Sequence, residues 1–252
     1  MVLFSIRQLR AIDGRGAAWE KSEEAFATKA PIDHSEACDN PGGTVRMVGN
    51  VQDQEDFLLS TGDHATFTFS NCEIEGLTIH GQIALSDIVV GAMTSARFEF
   101  RDVSLSAAGE TAGLDGGFRL SMPTNADDSA PIPVTLRDVS LRSTVNGQTL
   151  TLSGVSADTI FDIGSGDFSY AMTGRVADSA SGVSVSLTTA TPYSGVGDTL
   201  TAGDMTIEGA RSSRARAIVS GPNQLTISVD ADGDGNFEEQ FDPISVSTLV
   251  NG

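Results

Sequence analysis

The chain has 252 residues and a formal net charge of −19, from 34 acidic and 15 basic side chains. Such an acidic surface repels nucleic-acid backbones and anionic membranes, so neither is an expected partner, while cations, neutral glycans and basic proteins stay open. Hydrophobic residues make up 39% of the chain, which is enough for a core. No apolar run approaches the roughly 20 residues of a membrane-spanning helix, so we expect no membrane span.

Residues 1–37 differ in composition from the rest and form the first of two predicted segments. Ala17–Lys29 (AAWEKSEEAFATK) is rich in helix formers, places Trp19 and Phe26 seven residues apart, and ends just before Pro31. This pattern predicts a short N-terminal helix. Trp19 would anchor the helix on the remainder of the protein or contact a partner.

The chain contains two cysteines, Cys38 and Cys72. A disulfide between them would contribute roughly 3 to 4 kcal/mol by restricting the unfolded chain. An even, minimal cysteine count is typical of an oxidising compartment, although two reduced, buried thiols are an open alternative. We therefore expect a periplasmic, outer-surface or extracellular location, even though Val2–Ile6 is too short for the core of a signal peptide.

Residues 38–252 are predicted to form an antiparallel β domain. Polar and apolar residues alternate in five stretches: Ala65–Ser70, Arg97–Phe100, Gln148–Leu152, Val183–Leu187 and Gln224–Val229. Turn signals separate the stretches at Thr61–Asp63, Asp115–Gly117, Asn146–Gly147, Ser179–Gly182 and Gly221–Asn223. No helical period lies between them. The pattern predicts an all-β fold, mostly antiparallel hairpins, forming a sandwich, a barrel or a long curled sheet.

A short sequence repeat supports this organisation. FRDVSL at Phe100–Leu105 returns as LRDVSL at Leu136–Leu141, and FSNCEI at Phe69–Ile74 has the same apolar spacing. The copies begin 31 and 36 residues apart (100 minus 69, 136 minus 100), which suits one hairpin per copy. They are interpreted as duplicated packing units of one sheet, with a stacked binding surface as the alternative.

The most distinctive segment is Asp230–Glu239, DADGDGNFEE. Three aspartates stand at alternate positions and a glycine follows the third, which resembles the first half of the EF-hand calcium loop. By this resemblance Asp230, Asp232 and Asp234 occupy positions one, three and five, and Gly235 supplies the turn. We predict a calcium site whose ligands are Asp230, Asp232, Asp234, Glu238 and the carbonyl of Asn236.

The second half of this loop departs from the EF-hand pattern. Phe241 stands where that family has a bidentate glutamate, and Gln224–Val229 before the loop reads as a strand, where an EF-hand has a helix. The loop is instead similar to strand-borne DxDxDG loops of calcium-dependent bacterial surface proteins. The whole chain weakly resembles uncharacterised bacterial envelope or secreted β proteins, which implies no activity. A metal-free acidic hairpin is the alternative, because Asp-Gly and Gly-Asn pairs also favour tight turns.

Catalytic motifs are scarce. The histidines His34, His64 and His80 show no metal-binding spacing, and Gly164-Ser165-Gly166 lacks the further glycine of a nucleophile elbow and is interpreted as a turn. Phosphate-loop and dinucleotide fingerprints do not occur. Aromatic residues make up 6% of the chain, with one tryptophan, so a sugar-binding site would be poorly equipped.

One basic spot, Arg211, Arg214 and Arg216, precedes the last predicted hairpin and is assigned to salt bridges, with an anion or partner contact as the alternative. The sequence as a whole favours a non-enzymatic structural or binding protein of the bacterial envelope or exterior, stabilised by a C-terminal calcium loop. Two alternatives stay open: a hydrolase that acts on an extracellular polymer through a carboxylate pair, and a carrier of an apolar ligand inside a curled sheet. The partner and a homo-oligomeric state are also left open.

Overall fold

The computed structural model describes residues 30–51, 60–74, 76–107, 109–125 and 130–246. Strand makes up 77% of the structure and helix 2%. All fourteen strands belong to one open antiparallel sheet, in which each strand lies beside the strands that precede and follow it in the chain. The predicted all-β fold of antiparallel hairpins is therefore confirmed.

The strands are mostly long, and short connections join them. They are β1 Ala30–Ala37, β2 Thr44–Val51, β3 His64–Ile74, β4 Leu77–Val90, β5 Met93–Ala107, β6 Glu110–Pro123, β7 Ile132–Val145, β8 Gln148–Phe161, β9 Asp167–Asp178, β10 Val183–Val196, β11 Thr199–Glu208, β12 Arg214–Gly221, β13 Gln224–Asp230 and β14 Glu239–Ser245. A 3-10 turn, Ala210–Ser212, links β11 to β12.

All five stretches predicted to be strands lie in strands, within β3, β5, β8, β10 and β13. Four of the five predicted turns are also confirmed, but the turn predicted at Asp115–Gly117 is wrong, because these residues lie in the middle of β6. The predicted helix at Ala17–Lys29 lies outside the described residues. The sheet begins at Ala30, so β1 belongs to the segment that the sequence separated as residues 1–37.

The two faces of the sheet differ in polarity, because side chains of directly paired residues lie on the same face. One continuous apolar row crosses nine strands, from β2 to β10: Met47, Phe67, Ile83, Phe100, Gly116, Leu141, Leu152, Val176 and Val185. A second apolar row, Leu187, Ile207, Ala215 and Val229, continues from β10 to β13. This side of the sheet is called the apolar face below.

The opposite, polar face carries arginines and carboxylates. Arg97, Arg119 and Arg137 pair directly across β5, β6 and β7, although like charges placed opposite one another destabilise a sheet. A carboxylate compensates each arginine. Arg97 Nε donates to Glu99 at 3.0 Å, Arg119 Nη2 donates to Asp87 at 3.1 Å, and Arg137 pairs with Asp158.

The repeated hexapeptides mark places where strands are irregular. Their third residues, Asn71, Asp102 and Asp138, have φ of 49°, 51° and 53°, the left-handed region, and register shifts occur there in β3, β5 and β7. Aspartate and asparagine tolerate this conformation better than other residues with a side chain. The repeat is therefore a bulge signature, in which the third residue absorbs the extra position and the fourth returns to the apolar face.

Glycines complete this line of bulges on the strands in between. A Cβ at Gly81 of β4 would lie 2.3 Å from the carbonyl oxygen of Asp102, and one at Gly116 of β6 would lie 1.9 Å from that of Ser140. Both glycines have positive φ, 110° and 107°. The sequence signal at Asp115–Gly117 therefore reports close strand approach at a bulge, and no turn is needed.

Part of the buried core lies along the same line. The fourth residues of the repeats, Cys72, Val103 and Val139, are 1%, 3% and 4% exposed, and Val155 of β8 follows the bulge residue Gly154 in the same way. By contrast, every phenylalanine in the described part of the chain is half-buried or exposed. The bulge line thus contributes a narrow row of small buried side chains, while the larger apolar side chains that are buried, Ile88, Tyr193 and Leu200, lie elsewhere in the sheet.

Cys38 and Cys72 form the predicted disulfide, with Cα atoms 5.3 Å apart. It ties the β1–β2 turn to the bulge of β3. Asn40 reinforces this junction, because its Nδ2 donates to the carbonyl oxygen of Asn71 at 2.9 Å and its Oδ1 accepts from Glu73 N at 3.0 Å.

We predict that Cys38→Ala/Cys72→Ala lowers the free energy of unfolding by roughly 3 to 4 kcal/mol, because the unfolded chain regains the entropy of a 34-residue separation. Urea denaturation followed by circular dichroism measures the change. Dithiothreitol should destabilise the wild type by the same amount and leave the variant unaffected. Equal stability of oxidised wild type and variant would contradict the prediction.

A second prediction concerns the bulges. Asp138→Val should lower the free energy of unfolding by roughly 1 to 2 kcal/mol, because a β-branched residue at φ 53° is strained. Asp138→Gly should be close to neutral, since glycine adopts this conformation readily. Ser140→Val, at an exposed extended position of the same strand, is the matched control and should cost little. Equal effects of the two valines in urea denaturation would refute a left-handed requirement at position 138.

Candidate functional site

The acidic loop predicted from the sequence connects β13 to β14. Asp230 is the last residue of β13 and is 1% exposed. It lies on the polar face in a row with Arg214 of β12 and Glu208 of β11, since Arg214 pairs with both. Burial of a carboxylate needs compensating hydrogen bonds, and the loop provides them.

The loop folds around Asp230. Its Oδ1 accepts from Gly233 N at 2.7 Å and its Oδ2 accepts from Gly235 N at 3.0 Å. Farther along, Asp232 Oδ1 accepts from Asp234 N at 3.1 Å, and Glu238 Oε2 accepts from Ala231 N at 3.1 Å. Backbone amides thus hold the loop closed and turn its carboxylates toward a common centre.

Carboxylate oxygens of Asp230, Asp232, Asp234 and Glu238 lie within 4.8 Å of one another. Three of these residues are exposed and Asp230 is buried. Such a group could hold a metal ion, and it contains four of the five predicted ligands. The fifth, Asn236, lies beside Asp234, to which its backbone N donates at 2.7 Å and its Nδ2 at 2.9 Å.

These bonds have an electrostatic consequence. The pKa of Asp234 is lowered from its ordinary value of 3.8, first by the backbone hydrogen bond from Asn236 and then by the bond from its side chain. The carboxylate is therefore held ionised, which is the form that ligates a cation.

Two glycines shape the loop. Gly233 has φ 79°, and a Cβ there would lie 2.9 Å from the carbonyl oxygen of Arg211 and from Ser212 Cβ. The 3-10 turn Ala210–Ser212 therefore packs closely against the loop. Gly235 has φ 94° and faces open space, so only its backbone conformation demands glycine.

Two arginines of the basic spot form salt bridges, as the sequence analysis assigned them. Arg214 Nε lies 3.4 Å from Glu208 Oε1, and Arg216 Nε donates to Asp204 Oδ1 at 3.0 Å. Arg211 contributes its backbone to the turn that supports the acidic loop, with φ 57°.

Asp204 was not identified from the sequence. It is a buried carboxylate of β11, and Arg216 of β12 binds it through Nε and Nη2. The two residues are twelve positions apart and reach each other only through strand register, so no local motif could reveal the pair. The hydrogen bond from Arg216 is the main cause that lowers the pKa of Asp204 below 3.8.

The remaining polar candidates do not join this site. His34 bonds to Glu36 at 3.0 Å, and His64 and His80 are exposed on β3 and β4. Ser165 lies in the β8–β9 turn, as predicted, where its Oγ donates to Asp167 Oδ2 at 2.7 Å.

Comparison with known proteins gives no match for this chain among protein-family models, curated proteins or solved structures. Within the part of the chain that the structure describes, no helix has the length and apolar character needed to cross a membrane.

We predict that the stability difference between the wild type and Asp204→Asn depends on pH. Because the folded-state pKa of Asp204 is lowered, its stabilisation is complete above the ordinary value of 3.8 and is lost as the pH falls through the lowered value. At pH 6 the urea midpoint of the wild type should lie well above that of Asp204→Asn. At pH 3 the difference between the two midpoints should be smaller. Asp198→Asn, in the exposed β10–β11 turn, is the control, and a gap for Asp204→Asn that stays constant with pH would contradict the assignment.

Proposed function

We propose that this chain is a non-enzymatic structural or binding protein of the bacterial envelope or exterior, in which calcium fastens the last hairpin of the sheet. The observation that supports this proposal is the meeting of four carboxylates, from Asp230, Asp232, Asp234 and Glu238, within 4.8 Å. Four negative charges at this distance repel one another, and a divalent cation between them removes the repulsion.

The size of the cluster favours calcium over smaller ions. Calcium binds oxygens at about 2.3 to 2.6 Å, so opposite ligands in its shell are about 4.6 to 5.2 Å apart. Magnesium binds at about 2.0 to 2.1 Å and would limit this separation to roughly 4.2 Å. A separation of up to 4.8 Å falls within the calcium range.

The location of the loop indicates what the ion would do. Among the strands that the structure describes, β14 lies at the edge of the sheet and pairs only with β13, and the loop joins these two strands. An ion held by Asp230 at the end of β13 and by Glu238 just before β14 would link the edge strand to its neighbour. Its role is then to stabilise the sheet, with no chemistry performed on a substrate.

An exterior location is consistent with both features. Disulfides persist in oxidising compartments, and the Cys38–Cys72 bond is part of this fold. Calcium loops of extracellular modules bind as weakly as about 10⁻³ M, so they suit a calcium-rich exterior. The acidic surface, with a net charge of −19, agrees with such surroundings.

We expect calcium to raise the thermal midpoint of the purified chain by roughly 5 to 10 °C over EDTA at a hundredfold excess over Kd, which corresponds to about 2.7 kcal/mol. Differential scanning calorimetry measures the shift. Magnesium at the same concentration should give a much smaller one, because the oxygens are spaced for the larger ion.

The control separates ligation from loss of charge. Asp232→Asn/Asp234→Asn should abolish the calcium-dependent shift, whereas Glu110→Gln/Asp198→Asn removes two exposed carboxylates at other hairpins and should keep it. Equal thermal midpoints of the wild type in EDTA and in calcium would refute the proposal. The loop would then be interpreted as a metal-free acidic hairpin.

A further inference from the structure

The edge strand β14 is attached to the sheet mainly through its backbone. Its first five residues are exposed and only the last two are half-buried. Within the described residues, no side chain of residues 239–244 forms a hydrogen bond or an ion pair. The pairing itself is interrupted, because the register shifts between Leu225 and Ile227 of β13, at the position where β14 contains Pro243. A strand with so few attachments opens locally at a low free-energy cost.

The opposite edge strand, β1, is better attached. Arg46 of β2 binds Asp33 of β1 through two hydrogen bonds, of 2.8 Å from Nε to Oδ1 and 2.7 Å from Nη2 to Oδ2. The Cys38–Cys72 disulfide fixes the turn that follows β1 to the neighbouring β3. The turn that precedes β14 is the acidic loop, residues 231–238, and it contains no cysteine. Of the two edge strands that the structure describes, β14 is therefore the one that separates more easily.

The acidic loop has the properties of a hinge. When it is closed, the four carboxylates of the candidate calcium site lie within 4.8 Å of one another, and like charges at this distance repel. When it is extended, its eight residues span about 26 Å at roughly 3.3 Å per residue, and the charges separate. A cation among the carboxylates favours the closed loop, and its removal favours the extended one.

We propose that, in the absence of calcium, two copies of this chain exchange β14. The loop extends in each copy, and each β14 pairs with β13 of the other copy. The proposal deepens the proposed function and rests on it, because the ion is what holds the loop closed. Exchange keeps every strand pairing of the sheet, since β14 meets the same β13 sequence in either arrangement. Swapping an identical element in this way forms a dimer at low cost.

The vacated edge of β13 suits β14 better than an unrelated strand. On the apolar face Ile227 pairs with Phe241, and on the polar face Ser228 pairs with Gln240. A second copy of the chain supplies the same residues in the same register on both faces. An unrelated strand would need to match both faces and to adopt the same register shift. The partner that the edge fits is thus another molecule of this protein.

Size-exclusion chromatography with light scattering tests the exchange. The full chain is incubated at high micromolar concentration, warmed to just below its thermal midpoint so that edge strands open, and then cooled. The dimer fraction in EDTA should be at least fivefold larger than in excess calcium. It should also rise with protein concentration, because dimer formation follows mass action.

An engineered cysteine pair shows which copy β14 belongs to. Ser228→Cys/Gln240→Cys places thiols at directly paired positions of β13 and β14. Oxidation after incubation links them within one chain in the closed form and between two chains in the exchanged dimer. Non-reducing gel electrophoresis should therefore show covalent dimers from EDTA and monomers from calcium. Thr144→Cys/Thr149→Cys, at directly paired positions of the β7–β8 hairpin, is the matched control and should give monomers from both.

Charge variants test the loop as the hinge. Asp232→Asn/Asp234→Asn removes two of the four carboxylates, so the closed loop has less repulsion. The dimer fraction in EDTA should fall, and calcium should no longer change it. Glu110→Gln/Asp198→Asn, which removes two exposed carboxylates at other hairpins, should behave as the wild type does.

Three results would overturn the exchange. Monomers alone in EDTA at every concentration would show that β14 stays with its own chain. A dimer in which the engineered cysteines of β13 and β14 link within one chain would place the interface elsewhere on the sheet. Equal dimer fractions of the wild type in EDTA and in calcium would show that the ion does not control the loop.

Thermal melts of dilute protein separate this inference from the proposed function. A calcium-dependent midpoint together with monomers in EDTA would refute the exchange and leave the stabilising role of calcium intact. A midpoint that does not respond to calcium would refute that role, and with it the control of exchange by the ion.

Discussion

Backbone pairing between successive strands is the interaction on which this structure depends. Each described strand hydrogen-bonds only to the described strands beside it in the chain, and the few buried apolar side chains in this part of the chain are mostly small. Because most large apolar residues, including every described phenylalanine, stay half-buried or exposed, burial contributes less to stability here than in a two-layered domain of this length. A sheet of this kind is weakest at its two edges, where a strand has one partner instead of two.

The two features that the sequence made most conspicuous lie near those edges. The Cys38–Cys72 disulfide fastens the β1–β2 turn to β3, and the acidic loop joins β13 to the terminal β14. Both edge strands also contain a proline, Pro31 and Pro243, which removes a backbone donor and discourages pairing with another chain. The disulfide, the candidate metal site and the two prolines therefore lie where an open sheet needs support. They would hold its edge strands in place or discourage these strands from pairing with another chain.

The sequence allowed the strands to be predicted because alternation of polar and apolar residues is a local signal. It failed at Asp115–Gly117, since a glycine with positive φ serves a bulge as well as a turn, and only the pairing of Gly116 with Phe100 and Leu141 distinguishes them. The acidic loop was visible because its carboxylates are close in sequence. The pair of Asp204 and Arg216 could not be predicted, because the two residues are far apart in sequence and are brought together only by the pairing register of β11 and β12.

The bulge line links the repeat to the rest of the molecule. In each copy the third residue has a left-handed conformation, and the residue after it therefore returns to the apolar face. These third residues are Asn71, Asp102 and Asp138. Without that shift, alternation would carry the second half of each long strand to the wrong side of the sheet, because a one-residue slip exchanges the faces. The repeat therefore preserves an uninterrupted apolar face across the register shifts. Any molecule that binds this face only in the folded state raises the free energy of unfolding by mass action. Such binding would add to the limited stability that a single-layered sheet gains from its own core.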